Sequence, residues 1–511
     1  MSVSQEVVIV GGGTAGWLAA ARLAAAFASK VKVTLVESPT VPTIGVGEGT
    51  WPSMRSTLQA IGISERDLIR DCDASLKQGT LFRGWVTGQP GDSYIHPFSL
   101  PAEYASLNLA DWWRFREDGH HFCDAVTPQA TIAAAHKAPK QSGMPDYAFA
   151  LNYGYHLDAG RFAQLLQRHS TEKLGVIHRS ADVMAVKGEG TNVISHLELC
   201  DGTILKADLF IDCTGQRALL IGDHLGSDFL SLREHLPNNR AVVAQVPYDD
   251  PKADIASFTL STAQRFGWIW DIGLQTRRGV GYVHDAESIS EDEATVTLMN
   301  YVMASSSEQS ASQAKPRTVH FKPGFRPEPW RGNCVAIGLS AGFIEPLEAS
   351  ALAMIEQGIA VLVDNFPVSR ELQAPVARMF NKKMCAHWAS IQEFLMLHYA
   401  LSQRDDTPYW RRARVFDQLP NGLQDKLMLW RLRAPYHADA PRFDELFPAA
   451  SYQYVWLGMN GHLSQAGTTT NDDGKTSDPR IDRILHEVRE KTRKLQQALP
   501  SNRELLNAMA S

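Results

Sequence analysis

Six residues near the N-terminus, Gly11-Gly12-Gly13-Thr14-Ala15-Gly16, form the clearest chemical pattern in the 511-residue chain. They follow the apolar run Val7 to Val10 and precede an alanine- and leucine-rich stretch that reads as a helix to about Ala28. A second apolar run, Val31 to Val36, ends on Glu37. Strand, glycine turn, helix, and a second strand tipped by an acid are the parts of a dinucleotide-binding unit. In such a unit Gly11 makes the tight turn, Gly13 lets main chain approach a pyrophosphate, and Gly16 allows close helix–strand packing. The phosphates meet the free N–H groups and positive dipole end of the helix, while Glu37 accepts from a ribose hydroxyl.

Three more glycine segments follow strand-like runs or stand in loops: Gly45 to Gly49, Asp212 to Gly215, and Gly338 to Gly342. A nucleotide contacted at four points so far apart in the chain is a long one, which favours FAD over the single-block NAD folds. The sequence holds no second strand–G-x-G-x-x-G–helix unit for NAD(P)H, so a separate protein is the expected source of reducing equivalents. Gly338-Leu339-Ser340-Ala341-Gly342 also fits the G-x-S-x-G nucleophile elbow, with Asp364 and His387 following in a workable order. No HGGG-type oxyanion loop precedes it, which leaves a Ser340 hydrolase as a remote alternative.

Other residues have two readings at this stage. Lys77 taken alone is a solvated surface lysine, and Glu348 taken alone caps the helix that follows. Trp268 and Trp270 share one face of a strand and make either a packed core pair or a gate. His120, His121 and His398 lack metal-like partners, and Asp405-Asp406 before Thr407-Pro408 reads as a turn.

The elements that must position these residues are partly readable. Pro52 is placed to begin a helix running to about Gly62, and Ser64 to Asp67 reads as a capping box for the helix that leads to Lys77. Ala207 to Asp212 and Cys334 to Ile337 are buried-type strands, and an apolar helix runs from about Ser350 to Val363. Ala304 to Ala314 and Ala466 to Pro479 read as mobile loops. Arg480 to Leu499 is an amphipathic helix, with Ile481, Ile484, Leu485, Val488, Leu495 and Leu499 at helical spacing.

Composition narrows the class. Lys+Arg number 50 against 56 Asp+Glu, a net charge of −6, and 44% of residues are hydrophobic. That supplies a core but no basic footprint for nucleic acid or an anionic membrane. The six cysteines are dispersed without a C-x-x-C pair, against both a disulfide framework and a zinc site. No uncharged run reaches the ~18 residues that span a bilayer, and the opening residues lack the positive region of a secretory signal, so a cytoplasmic enzyme is expected. The expected fold is α/β: an FAD-binding Rossmann-like (glutathione-reductase-type) fold with an interleaved substrate-binding region and a helical C-terminal part. Its discontinuous FAD-binding part is expected at about 1–90, 150–220 and 320–365, with the substrate-binding part at about 91–149, 221–319 and 366–511.

Several motifs together resemble one family. They are GGGTAGW at Gly11 to Trp17, GVGE at Gly45 to Glu48 with Thr50 and Pro52, Lys77, GWIWDI at Gly267 to Ile272, GLSAGFIEPLEAS at Gly338 to Ser350, and Phe394 to Trp410 with its LHYALSQRDDTPYW. In this order they resemble the flavin-dependent halogenases of the tryptophan halogenase superfamily. The resemblance implies that reduced FAD, O2 and a halide ion generate hypohalous acid, which travels to a separate pocket holding an electron-rich aromatic substrate of the indole type. It further implies that Lys77 hydrogen-bonds or covalently captures the hypohalous acid and that Glu348 polarises the halogenating species or removes the ring proton. Flavin contacts carried over are Gly12 to Gly16, Glu37, Gly49, Val183, Leu339 and Leu352, and the N–H groups of Ser350 and Ala351 would hold the halide. Tyr454 and Trp456 fall where the family places aromatic walls, and Trp268 and Trp270 where it separates substrate from flavin. The resemblance also implies a separate NAD(P)H-dependent flavin reductase and a homodimer.

Two departures are visible. The family's W-x-W-x-I-P reads Trp268-Ile269-Trp270-Asp271-Ile272-Gly273 here, which loses a stiff residue and keeps flavin-dependent monooxygenation open as an alternative. Ala349-Ser350-Ala351 replaces the Ser-Thr-Gly that follows the glutamate in tryptophan-specific members, which leaves free tryptophan in doubt as the substrate and the choice between bromide and chloride open.

Overall fold

Apolar runs without alternation build a parallel sheet, because both of its faces are covered. In the computed structural model, which describes residues 5–41, 47–116, 121–188, 192–461 and 478–510, Gln5–Val10 is the strand on which that sheet is centred. Its order is Trp330–Arg331, Cys334–Ala336, Leu209–Asp212, Gln5–Val10, Val31–Glu37, Ile177–Ser180. All pairs are parallel except the first. The helix Thr14–Phe27 makes the crossover from the central strand to Val31–Glu37. On the other flank Leu209–Asp212 pairs with the same central strand, so the chain departs to both sides of it. Such a switch point, at the carboxyl ends of the strands, is where this class of sheet binds ligands.

The chain divides into two units, each woven from three segments. The first comprises Met1–Ala74, Leu157–Leu236 and Phe321–Ala389; the second Ser75–His156, Pro237–His320 and Ser390–Ser511. The first holds the parallel sheet and a core that includes Val8, Val10, Phe210, Leu220 and Ala336. The second is built on a seven-stranded sheet in the order Arg317–His320, Arg240–Pro247, Arg277–His284, Gly267–Gly273, Thr259–Gln264, Gly79–Arg83, Ser93–Pro97. Here Val242, Val246, Ile269, Val280 and Tyr282 pack against the helix Glu291–Ala304 through Ala294, Leu298 and Val302.

Most element expectations hold, with Ser53–Ile61 ending on Gly62 at φ +80° and Pro479–Ala498 burying Ile481, Ile484, Leu485 and Val488. One does not. Ala304 to Ala314 contains a helix, Glu308–Gln313, instead of a mobile loop. Ser307 caps it by accepting from the Ser310 N–H, its own hydroxyl donates to Asp249, and Ala311 and Ala314 are buried in the core. A serine that reads as loop composition serves here as an N-cap. The loop expected at Ala466 to Pro479 falls mainly on residues outside those described, as do His120 and part of the glycine segment from Gly45. All six cysteines are free, and among the described residues no helix is long and apolar enough to cross a membrane.

Candidate active site

In the first unit the glycine turn is shaped by sterics at each position. Gly11 has φ +116°, and a Cβ there would stand 2.1 Å from the Cys213 carbonyl oxygen. A Cβ on Gly16 would stand 1.9 Å from the Gly11 oxygen, so only glycine lets the helix sit this close. On Gly12 it would lie 1.5 Å from Glu37 Oε2, whereas at Gly13 it would meet nothing within 4 Å. The main chain at Gly13 is therefore open to a ligand, and Glu37 is folded against the turn. Glu37 Oε1 lies 2.7 Å from His178 Nε2 and accepts from Gln167 Nε2 at 3.3 Å. The helix Thr14–Phe27 begins without a side-chain cap or an acid in its first turn, leaving its N–H groups to an anion. Ala15 is the nearest neighbour of Gly338, at 2.8 Å from a Cβ built there. The turns at 11–16, 213–215 and 338–340 are thus in mutual contact.

Asp212 braces this cradle. Its carboxylate is fully buried and accepts from Thr214 N and Oγ1 and from the N–H groups of Leu220 and Ile221, at 2.7–2.9 Å. Burial pushes its pKa up and these donors pull it down. Ser340, the alternative nucleophile, directs its hydroxyl at the main-chain carbonyls of Asp212 and Ile337 at 2.5 and 3.1 Å. It cross-links two turns. Leu339 is half-buried in the same turn, Leu352 is buried, Gly49 ends a short strand, and half-buried Val183 packs on the core.

The helix Ser350–Asp364 starts from a strained corner. Glu348 (φ 64°, ψ 12°) and Ala349 (φ 54°, ψ 41°) are both left-handed, a conformation unfavourable for residues with a Cβ. Glu348 is buried, and its carbonyl accepts from Trp51 Nε1 at 2.8 Å. No side chain caps this helix and no acid lies in its first turn, so the helix starts at Ser350 and Ala351 with uncapped N–H groups. One turn on, Glu356 accepts from Ser53 and Thr57, and burial raises its pKa to about 7. Glu48 is also raised to about 7, by burial first and then by Asp158.

In the second unit, Lys77 is 1% exposed. It ends the strand Ser75–Lys77, which pairs with Gly154–Asp158 so that Ser75 stands opposite His156. Ser75 Oγ donates to the Gly273 carbonyl at 2.5 Å, Gln78 N to Ser257 O at 2.7 Å, and Asn502 Nδ2 to Leu76 O at 3.0 Å. The Lys77 ammonium lies 5.4 Å from the centre of the Phe98 ring. Fully buried His156, bonded through Nε2 to Thr259 Oγ1 at 2.8 Å, is held neutral by burial and by the Lys77 charge, its pKa well below the ordinary value. Near Phe98, His96 Nε2 bonds Ser451 Oγ at 2.9 Å, and Tyr454 donates to Ser99 O at 2.9 Å while its ring faces His96 and Phe122. Trp456 is buried against Trp430. Trp268 packs with Trp85 and Trp270, and Trp270 lies on Gly281, where a Cβ would be 2.2 Å from its ring. Asp271 is paired with Arg278 and accepts from Tyr301, which ties it to the sheet.

His156, His96, Phe98 and Glu356 were not singled out from sequence, and Asp212 was read only as the end of a strand that leads into a glycine segment. Ser93–Pro97 is buried along nearly its whole length, and nothing in its residues marks His96 as lying beside Ser451.

The parallel sheet with its glycine turns and Glu37 defines a Rossmann-like dinucleotide-binding fold, and the open main chain at Gly13 beside an uncapped helix fits the diphosphate of FAD. Comparison with known proteins is more specific. Residues 6–470 match the tryptophan halogenase family model. Tryptophan 6-halogenase SttH of Streptomyces toxytricini is 32% identical, over 99% of this chain and 98% of its own length. The crystal structure of tryptophan halogenase from Shewanella frigidimarina NCIMB 400 superposes with a TM-score of 0.93 at 43% identity, covering 99% and 98% of the two chains. Tar14, a tryptophan C-6 flavin-dependent halogenase (chlorinase) from taromycin biosynthesis, does so at 0.92 and 31%, covering 99% and 100%. The chain belongs to the tryptophan halogenase family, and it is an enzyme of the flavin-dependent halogenase class.

Proposed function

We propose that the protein uses FADH2, O2 and bromide or chloride to halogenate an electron-rich aromatic compound of the indole type, and that Lys77 carries the electrophilic halogen. The observation behind this reading is the burial of Lys77. Lysines are rarely buried, because an ammonium removed from water must be paired or hydrogen-bonded; this one stands over an aromatic ring with a histidine held neutral beside it, at the position the family's motif gives its lysine.

Bound flavin supplies the redox chemistry that turns halide and O2 into hypohalous acid. In this reading the main chain of Gly11 to Gly16 holds its diphosphate and Glu37 its ribose, with Gly49, Val183, Leu339 and Leu352 as further contacts. The N–H groups of Ser350 and Ala351 hold the halide at the uncapped helix start. Lys77 holds the hypohalous acid by donating a hydrogen bond from its ammonium, and Glu348 takes up the proton that the aromatic ring loses. Trp268, Trp270, Tyr454 and Trp456 supply the aromatic surroundings of the substrate path. Reduced flavin comes from a separate NAD(P)H-dependent reductase.

The test is to incubate the protein with FAD, a flavin reductase, NADH, oxygen and either halide, with a panel of indoles, phenols and pyrroles, and to read products by mass spectrometry. Halogenated indole is the expected result; a gain of oxygen without halogen would make the enzyme a monooxygenase. Lys77→Ala should lower halogenation by about 100-fold or more and leave flavin absorbance unchanged. Normal halogenation by the variant would overturn the assignment of Lys77.

A further inference from the structure

The second unit contains an open cleft of about 460 Å³ that the proposed reaction does not use. It is lined by the loop Gly84 to Asp92, by the end of the strand Thr259–Gln264, and by three arginines, Arg83, Arg265 and Arg404. Arg404 is built in. Its side chain is 9% exposed, lies over the Trp410 ring at 4.6 Å, donates to both oxygens of Asp406, and donates through Nη1 to the Gly84 carbonyl at 2.9 Å. Gly84 and Gly88 have φ of +71° and +77°, and a Cβ on Gly88 would lie 3.5 Å from Arg404 Nε. The loop backbone therefore lies directly against the guanidinium.

Arg83 and Arg265 differ from Arg404. Both are exposed; Arg83 makes no side-chain hydrogen bond or ion pair among the described residues, while Arg265 leans over the Phe266 ring at 5.1 Å, and its charge reaches Asp406, which Arg404 already pairs. Asp92, the one carboxylate in the lining, is engaged by the N–H groups of Thr87 (2.6 Å), Gly88 (2.8 Å) and Val86 (3.3 Å), so it shapes the loop instead of neutralising an arginine. Two exposed guanidiniums, neither in a close ion pair, line a cleft whose third arginine is rigidly mounted and paired with Asp406. Planar forks of this kind recognise oxyanions, and two guanidiniums beyond the Arg404–Asp406 pair match a dianion better than a monoanion.

We propose that this cleft binds a dianionic phosphate group carried by a small molecule. Isothermal titration of the full chain, saturated with FAD so that the glycine cradle is filled, would use inorganic phosphate and acetate at constant ionic strength. Phosphate is expected to bind, acetate to bind about tenfold more weakly or worse, and the Arg83→Gln, Arg265→Gln double variant to lose about tenfold or more of the phosphate affinity. Each single variant should lose part of that. Undiminished phosphate binding by the double variant, equal binding of acetate, or no phosphate binding by the unmodified chain would each overturn the proposal. Because the readout is binding, it stands or falls separately from halogenation.

Discussion

Glu356 shows how a single buried carboxyl sets a pH dependence. Its ordinary value of 4.5 rises to about 7 in the folded chain, so between those limits the folded state holds a proton that the unfolded state has lost. The unfolded chain binds fewer protons there, and stability falls as pH rises from 4.5 to 7. A shift of about 2.5 units corresponds to roughly 3 kcal/mol as an upper figure. Glu48, shifted in the same direction, adds a decline of the same sign, so removing one group flattens the profile without abolishing it. Denaturant unfolding at pH 5 and pH 8 should therefore show a smaller stability loss for Glu356→Gln than for the parent chain, by about 1–3 kcal/mol. Equal losses in the two proteins would show that Glu356 does not titrate in this window.

At the scale of elements, the corner before Ser350–Asp364 combines two left-handed residues with an uncapped helix start. Ala349 has a Cβ where glycine is at ease, and relieving that strain should outweigh the extra freedom glycine gives the unfolded chain. Ala349→Gly is expected to raise stability by about 1 kcal/mol, read as a higher denaturant midpoint; a lower midpoint would show that the alanine methyl is needed for packing. The same elements show what could be read beforehand. Gly11 and Gly16 were legible because their constraint is steric and local, and the strands and helices around them because their apolar periodicity is local too. Lys77 and Glu348 were legible only as members of a motif. His156, whose bonding partner Thr259 is 103 residues along the chain, and Glu356, whose partners Ser53 and Thr57 are 303 and 299 residues away, left no trace, since their roles arise only when distant segments meet. Ser307 was misread because one residue type serves both loops and caps.

The whole molecule is organised by such distant meetings, since each unit is assembled from three separate stretches of chain. The strand bearing Lys77 is an extreme case: it is held by Asn502, 426 residues away, near the C-terminus. The helix Asn502–Ala510 is fixed in turn by Arg503, whose guanidinium donates to the carbonyls of Ala253 and Gln275 at 2.9 and 2.5 Å. Removing the Asn502 amide leaves the Leu76 carbonyl unpaired in a buried place, at a cost of about 1–3 kcal/mol. A catalytic group displaced by a fraction of its proper geometry loses rate out of proportion to the stability lost. The dinucleotide cradle lies in the other unit and uses none of these bonds. Asn502→Ala should therefore lower the melting temperature modestly and reduce halogenation by tenfold or more, on the order expected for misplaced reacting groups, while flavin absorbance and affinity stay at the parent level. Parent-level halogenation in a variant with the expected drop in melting temperature would show that the C-terminal helix stabilises the unit without positioning Lys77.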